Sequence, residues 1–231
     1  MNKMYRHWGA APYFPYLDER RRFRFPNPQA ALHDIVAIGG NLSPGMLLSA
    51  YENGIFPWYN EDEPVIWQSP DPRFVLYPDN LHISKTMQKV MRQERFEIRY
   101  DTAFESVITA CASVPRPGQR GTWINSDIIS AYCEMHKLGY ARCAEAWRDG
   151  HLAGACYGIL LPPVFFGESM FAHEDNASKA AFLTYAQMLF DSGIRLIDCQ
   201  VYTAHLAALG AVEIPRVEFL TLLKQFYPQA V

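Results

Sequence analysis

The chain has 231 residues, of which 49% are hydrophobic and 19% charged, and its formal net charge is −3. This composition is typical of a folded globular protein, and the length allows one substantial core or two smaller domains. It excludes a globally basic nucleic-acid binder, so any contact with nucleic acid requires a local basic patch.

Residues 1–72 are rich in proline, glycine and aromatic side chains, which predicts turns and short strands. One short helix is expected at 43–51, with Ser43 as its N-cap and Pro44 at its first position. The segment SPDPR at 69–73 favours extended or turn backbone. We therefore predict a small N-terminal domain over 1–72 and a larger domain over 73–231.

From Phe74 onward, strand and helix patterns alternate. FVLY, FEIRY, VFFGES and RLIDCQ are strand candidates, while ARCAEAW and LAGACYGILL flank an Asp-Gly pair that predicts a hairpin. Helices are expected at 83–93, at 104–112, from 125 or 126 to 138, and after Asn176 as a cap, with two short ones at the end. The pattern indicates an α+β domain with an antiparallel core.

Cysteine and histidine usage argues against a metal site. The chain has five scattered cysteines without C-x-x-C spacing, and its seven histidines follow no ligand pattern. An odd number of cysteines favours a reducing compartment, so we expect a cytoplasmic protein. No apolar run approaches a membrane span, and the first residues lack the apolar core of a signal peptide.

Three cations lie on one face of the helix at 83–93, opposite its apolar stripe: Lys85, Lys89 and Arg92. Cations aligned without interleaved carboxylates form a track for phosphates, although a solvated helix face has the same pattern.

Aromatic residues crowd the end of the N-terminal region, among them Trp58, and Trp123 follows a proline- and glycine-rich loop. Such residues line pockets or stack on bases, but they also pack between domains.

The strand LIDCQ carries Asp198 and Gln200, whose side chains are expected on one face because they are two apart. A carboxylate beside an amide suits positioning of a nucleophile and stabilisation of an oxyanion, and a buried, hydrogen-bonded aspartate is the alternative. Cys199 with His205 would make a cysteine hydrolase, but Cys199 is expected to face away from Asp198 and Gln200.

Seven motifs occur in order along the chain: GIFPW (54–58), W-x-SPDPR (67–73), TWI (122–124), GESMF (167–171), ASK (177–179), IDCQ (197–200) and HLAALGAVEIPR (205–216). Together they resemble the leucyl/phenylalanyl-tRNA–protein transferases, over about residues 25–226. The resemblance implies a small N-terminal domain and an acetyltransferase-like (GNAT-type) domain with a mixed, largely antiparallel sheet.

The resemblance also implies a function. Members of the family transfer Leu, Phe or sometimes Met from aminoacyl-tRNA to proteins that begin with Arg or Lys, which marks them for N-degron proteolysis. The donor is an activated ester, so no cofactor or metal is expected. The implied partners are aminoacyl-tRNA, through its acceptor stem and terminal adenosine, and the N-terminus of an acceptor protein, with no membrane.

The resemblance assigns roles to particular residues. Asp198 is implied to act with Gln200, unless the terminal ribose of the tRNA carries the proton transfer. Glu168 is implied to hold the aminoacyl-adenosine end, and Trp58 and Trp123 to line the adenosine site. The resemblance implies that the walls of the donor side-chain pocket are Phe165, Met170, Tyr185, Ile197 and Cys156. The basic helix with Lys85, Lys89 and Arg92 is implied to bind the acceptor stem.

Departures from the family pattern leave donor and acceptor preference open. Cys156 is smaller than the usual residue and leaves more room in the pocket. Arg142 and Cys143 replace a more usual His-Ser pair, and one hypothesis is a preference for acidic acceptor N-termini. Two other functions stay open: an acyl-CoA N-acyltransferase, although Gln119–Thr122 lacks the second glycine of a pyrophosphate loop, and a non-catalytic RNA-binding module, which would not need Asp198 or Gln200.

Overall fold

A computed structural model describes residues 14–114 and 122–230. In chain order the elements are β1 (Ile35–Ile38), α1 (Pro44–Glu52), β2 (Phe56–Pro57), β3 (Ile66–Gln68), β4 (Arg73–Leu76), α2 (Lys85–Arg92), β5 (Glu97–Tyr100), α3 (Phe104–Ser113), α4 (Ser126–Lys137), β6 (Ala141–Arg148), β7 (His151–Leu161), β8 (Val164–Ala172), α5 (Ala177–Asp191), β9 (Leu196–Gln200), α6 (Ala204–Ala207), β10 (Val212–Ile214) and α7 (Arg216–Phe226).

The chain divides into two compact units. One contains the chain up to Asp71 together with the segment from Arg216 onward, and the other spans Pro72–Pro215. Helix α7, which the sequence assigns to the second domain, therefore groups with the first unit. The division into domains at 1–72 and 73–231 stays a prediction.

The first unit contains a small antiparallel sheet in the order β1–β3–β2, as expected from its turn-rich sequence. Trp67 on β3 is buried, and its indole N–H donates to the carbonyl of Gly39 at 2.8 Å. Gly54 has a φ of +71°, and a side chain there would meet Phe219 and Leu220 of α7. This close approach explains why a glycine follows helix α1.

The second unit is built on a seven-stranded sheet in the order β10–β4–β9–β8–β7–β6–β5. All neighbouring strands are antiparallel except β8 and β9, which are parallel and connected through helix α5. The predicted α+β class with a mixed, largely antiparallel sheet is confirmed.

The predicted hairpin is present as β6 and β7. Asp149 and Gly150 connect the two strands with φ values of +49° and +77°. Two successive left-handed residues make the tight turn that matches the twist of a hairpin, and the Asp-Gly sequence favours that conformation.

Helices cover both faces of the sheet. On one face α5 and the predicted apolar stripe of α2, centred on Met87, pack into the main core cluster. On the other face, Tyr157 of β7 contacts Phe104 of α3 and Tyr132 of α4 edge to face. The strands between these layers are therefore almost entirely buried.

Several local details differ from the prediction. Asn176 precedes α5 as expected, but its φ is +70° and its side chain makes no capping hydrogen bond. Of the two caps that the sequence allows for α4, Asn125 is the one present, and it accepts from the backbone N–H groups of residues 127 and 128. Strand β10 was not predicted, because three residues with one buried side chain carry too little pattern.

Candidate active site

A β-bulge at Glu168 interrupts the regular pairing of strand β8 with β7. In the register of β7 and β8, Gly158 pairs with Gly167 and Tyr157 pairs with Ser169, so Glu168 is the extra residue. The bulge reverses the alternation of side chains along β8. As a result Phe165 and Met170 both pack on the main core cluster, while Glu168 extends to helix α4.

The parallel strands β8 and β9 separate beside this bulge. Their pairing runs from Val164 and Leu196 to Phe166 and Asp198. Beyond that point β8 continues against β7, and β9 continues against β4. Backbone pairing between β8 and β9 therefore ends beside Glu168, and side chains bridge the two strands from there.

Asp198 forms a buried ion pair with Arg73 of β4. Both side chains are 0% exposed; Arg73 Nε donates to Oδ1 at 2.8 Å and Nη2 donates to Oδ2 at 2.6 Å. This two-bond geometry is the strongest arrangement of a guanidinium and a carboxylate, and it compensates part of the cost of removing both charges from water.

Gln200 links this ion pair to Glu168. Its backbone N–H donates to Asp198 Oδ1 at 2.9 Å, and its side-chain Nε2 donates to Glu168 Oε1 at 2.8 Å. Its φ is +64°, a left-handed conformation that glutamine rarely adopts. The prediction that Asp198 and Gln200 share a face assumes extended backbone, and the extended backbone ends at Gln200; that the two residues act together stays a prediction.

Glu168 is the carboxylate of this group that is only half-buried. Its Oε2 accepts from the hydroxyl of Tyr132 at 3.2 Å, while its Oε1 accepts from Gln200. These two hydrogen bonds fix the orientation of the carboxylate. Glu168, Gln200 and Asp198 are thus brought together in the structure, and their roles in catalysis stay a prediction.

The five residues predicted to line the donor pocket also lie together. Phe165 and Tyr185 meet edge to face with ring centroids 5.3 Å apart, and Met170 pairs with Cys156 across β8 and β7. Phe165 also pairs with Ile197 across β8 and β9. All five belong to the main core cluster or pack against it. Their role as a pocket stays a prediction.

The two predicted adenosine-site tryptophans lie in different units. Trp58 stacks on Phe56 in the first unit at 6.4 Å, and its carbonyl accepts from Gln68 at 3.1 Å. Trp123 is half-buried and lies three residues before α4, the helix whose Tyr132 reaches Glu168. Their contact with an adenosine stays a prediction.

The basic face of α2 is exposed as predicted. Lys85, Lys89 and Arg92 are all exposed, while Met87 on the opposite face is buried. Among the residues that the structure describes, the ion pairs found do not include these three. Their charge is therefore available to an external anion.

Cys156 and Cys199 are not poised as nucleophiles. Burial raises the pKa of Cys156 to about 12, and burial together with the charge of Asp198 raises the pKa of Cys199 well above its usual range. Burial, with a contribution from Lys179, lowers the pKa of His205. A thiolate-dependent hydrolase at Cys199 and His205 is therefore disfavoured.

Arg142 is paired inside the second unit. Its Nη1 donates to Asp101 Oδ2 at 3.0 Å and its Nε donates to the carbonyl of Gly139 at 3.1 Å. The backbone N–H of Cys143 donates to the other oxygen of Asp101 at 2.9 Å. Since a carboxylate already meets its charge, Arg142 gives no support to the hypothesis of acidic acceptor N-termini.

Two residues of the site escaped the sequence analysis. Arg73 is the last residue of the SPDPR motif, which the sequence analysis used only as a domain boundary. No sequence pattern predicts that a charged residue at the start of an apolar strand is buried. Tyr132 lies on the buried face of α4 and has the pattern of a core residue. Most of the possible pyrophosphate loop, Gln119–Gly121, lies outside the described residues.

Within the described ranges, no three or more histidine, cysteine, aspartate or glutamate side chains are grouped so as to hold a metal ion. In the same part of the chain, no helix combines the length and the apolar character of a membrane span.

Comparison with protein families gives matches over most of the chain. A family model described as leucyl/phenylalanyl-tRNA protein transferase matches residues 75–224. A second model, described as the N-terminal domain of the same enzyme, matches residues 40–71.

Curated relatives named leucyl/phenylalanyl-tRNA–protein transferase are similar over nearly their full length. One from Myxococcus xanthus is 52% identical over 200 residues, covering 86% of each chain. One from Pseudomonas putida is 48% identical over 213 residues, covering 91% of this chain and 94% of the relative.

Solved structures are more distant. A GCN5-related N-acetyltransferase from Kribbella flavida is 11% identical, with a TM-score of 0.35 over 74% of this chain and 61% of that one. Likeness at this level carries no conclusion about fold or activity.

Replacing Arg73 tests the buried ion pair. Arg73→Met leaves a buried carboxylate without its partner, so we expect the free energy of unfolding in urea to fall by about 3–5 kcal/mol. Arg99→Met is the matched control, because it removes an exposed ion pair with Glu97 and should change stability far less.

A compensating variant separates pair loss from general disruption. Arg73→Met with Asp198→Leu replaces both charges by apolar groups and should recover most of the lost stability. Equal losses for Arg73→Met and Arg99→Met would contradict a special role for the buried pair.

Proposed function

The chain belongs to the leucyl/phenylalanyl-tRNA–protein transferase family, and we propose that it moves leucine or phenylalanine, and also methionine, to the N-terminal α-amine of proteins that begin with arginine or lysine. Membership establishes an enzyme that transfers an aminoacyl group from tRNA to protein. The proposal adds the donors, the basic acceptors and a role in marking proteins for N-degron proteolysis in the cytoplasm.

The transfer depends mainly on aligning the acceptor amine with the ester of the aminoacyl-tRNA, because that ester is already activated. The acceptor amine attacks the ester carbonyl, a C–N bond forms, and the C–O bond to the tRNA ribose breaks. An α-amine of pKa ≈ 8 is roughly one-tenth neutral at pH 7. The neutral amine loses one proton and the leaving ribose oxygen gains one, so the step requires a relay and not a net base. The enzyme then contributes by aligning two substrates and stabilising the oxyanion.

The bridge between Glu168 and Gln200 is the observation that carries the proposal. Glu168 is half-buried with both oxygens oriented, so in the proposed site it faces the donor and holds its α-ammonium. Gln200 keeps Glu168 in place and lies beside the carbonyl that develops the oxyanion.

Asp198 acts as a positioning residue in this proposal. Its carboxylate is fully buried and accepts three hydrogen bonds, two from Arg73 and one from the backbone of Gln200. A carboxylate in that setting is poorly suited to accept a proton from an acceptor amine that arrives from solvent. Its effect is to hold Gln200 in the left-handed conformation that directs the amide to Glu168.

The donor side chain is proposed to enter between β7, β8 and α5. Phe165, Met170, Tyr185, Ile197 and Cys156 supply an apolar surface on the α5 face of the sheet, next to the point where β8 and β9 separate. An apolar side chain suits it, whereas a polar one would lose its hydration without gaining a partner.

The exposed basic face of α2 is proposed to bind the acceptor stem of the tRNA. Lys85, Lys89 and Arg92 follow one another along the helix surface, as required to meet successive phosphates.

A transfer assay tests the function and the role of Asp198 together. With tRNAs charged with Leu or Phe, we expect transfer to peptides that begin with Arg or Lys. Asp198→Ala should lower kcat/KM at least ~10-fold, which is about 1.4 kcal/mol of barrier. If Asp198 only positions Gln200, the pH dependence of the residual rate keeps the wild-type shape.

Asp198→Asn is the matched variant, because it keeps the shape and part of the hydrogen bonding, and circular dichroism checks that both variants fold. Loss of one limb of the pH profile in Asp198→Asn would contradict the positioning role. Wild-type rates in Asp198→Ala would contradict any role.

Salt dependence tests the basic helix. Because each phosphate contact releases counterions, Lys89→Gln should weaken tRNA binding and reduce the slope of log K against log salt by about one. Lys137→Gln at the end of α4 removes the same charge from another exposed position and should leave the slope unchanged. Equal slopes for the wild type and Lys89→Gln would exclude Lys89 as a phosphate contact.

A further inference from the structure

Tyr202 is a large aromatic side chain that is 59% exposed immediately after the strand that carries Asp198 and Gln200. Its backbone is held on both sides: the N–H of Val201 donates to the carbonyl of Cys199 at 2.8 Å, and the hydroxyl of Thr203 caps α6. A constrained aromatic residue in such a position is typical of a binding surface, because little conformational entropy is lost on contact.

The ring of Tyr202 is fixed beside the candidate site. It lies against Phe74 with ring centroids 5.3 Å apart and an angle of 59° between the ring planes. Phe74 in turn is the residue of β4 that pairs with Gln200 of β9. The ring is therefore held by a tilted contact with the sheet, at the position of Gln200, while much of the side chain remains accessible.

The two carboxylates of the candidate site are poorly placed to recognise a cation on the acceptor, and a further carboxylate on this flank is the exposed Glu213 of β10, which pairs with Phe74. Asp198 is fully buried and paired with Arg73. Glu168 already accepts from Gln200 and Tyr132, and in the proposed mechanism it holds the α-ammonium of the donor. A guanidinium or ammonium group that approaches from the β4 and β9 side meets the face of Tyr202 instead, and an aromatic face attracts such groups.

We infer that Tyr202 is a specificity-determining residue that binds the cationic side chain at the first position of the acceptor protein through a cation–π contact. This inference rests on the proposed function and deepens it, since it names the group that distinguishes basic from neutral acceptors. The acceptor enters along β4 and β9, and its α-amine then reaches the carbonyl held between Gln200 and Glu168.

A base of the tRNA is the other partner that an exposed aromatic ring could stack on. The positions of the contacts favour the acceptor. Glu168, the residue implied to hold the donor, is fixed from the opposite flank by Tyr132 of α4. Tyr202 lies on the β4 flank of Gln200, through its contact with Phe74.

The test compares two acceptor peptides that differ only in whether the first side chain carries a charge. One begins with arginine and the other with citrulline, which has nearly the same shape without the charge. The full-length protein and its variants Tyr202→Phe and Tyr202→Leu are assayed with Phe-tRNA, and kcat/KM is measured for each peptide. The KM for Phe-tRNA is measured as well.

Tyr202→Leu should lower the arginine-to-citrulline ratio of kcat/KM about two- to fivefold, the effect of an exposed cation–π contact. Tyr202→Phe keeps an aromatic face and should keep the ratio, and the KM for Phe-tRNA should stay unchanged in both variants. Because the side chain is exposed, the folded state is expected to be retained, which a thermal unfolding curve verifies.

Three results would overturn the inference alone. If Tyr202→Leu lowers kcat/KM equally for both peptides, Tyr202 makes only an apolar contact. If it raises the KM for Phe-tRNA, Tyr202 stacks on a base of the tRNA. If Tyr202→Phe also lowers the arginine-to-citrulline ratio, the hydroxyl group and not the aromatic face recognises the charge. Absence of wild-type transfer to any arginine- or lysine-starting peptide would overturn the proposed function, and this inference with it.

Discussion

The buried ion pair of Arg73 and Asp198 is the interaction on which the candidate site depends. Two charges removed from water are expensive to bury, and a pair of this kind contributes little net stability compared with apolar residues of the same volume. Its consequence here is geometric. It joins β4 to β9, and its carboxylate holds the backbone of Gln200 in a conformation that an unassisted glutamine seldom adopts.

From that pair, a chain of hydrogen bonds crosses the opening between the two parallel strands. Gln200 reaches Glu168 on β8, and Glu168 reaches Tyr132 on α4. Four elements of the second unit therefore determine the position of one half-exposed carboxylate. The bulge at Glu168 makes this possible, because it lets β8 present an acidic residue to one face while Phe165 and Met170 pack on the other.

Much of the fold could be predicted from local patterns. The Asp-Gly hairpin, the apolar stripe of α2 and the buried strand RLIDCQ each rest on a period or a turn preference within about ten residues, and each is present. The order of strands in the sheet and the separation of β8 from β9 depend on contacts distant in sequence. Neither was predicted, because the family resemblance implied only a mixed, largely antiparallel sheet.

The site was predictable in its membership but not in its geometry. IDCQ and GESMF identify Asp198, Gln200 and Glu168, yet neither motif shows the bulge at Glu168 or the left-handed backbone at Gln200. Arg73 could not be found at all, because its meaning comes from a carboxylate 125 residues away. The basic face of α2, by contrast, could be predicted without tertiary information, because the helical period alone places Lys85 and Lys89 on one face.

The central claim is that Gln200 contributes to transfer by orienting Glu168, so that the two side chains act as a unit. A double-mutant cycle measures this most directly: kcat/KM for transfer by the wild type, Glu168→Gln, Gln200→Ala and the double variant. If the claim holds, the double variant is no more than about threefold slower than the slower single variant, because the second change removes an orientation that is already lost. If the two losses instead multiply, Glu168 and Gln200 act independently, and the account is wrong.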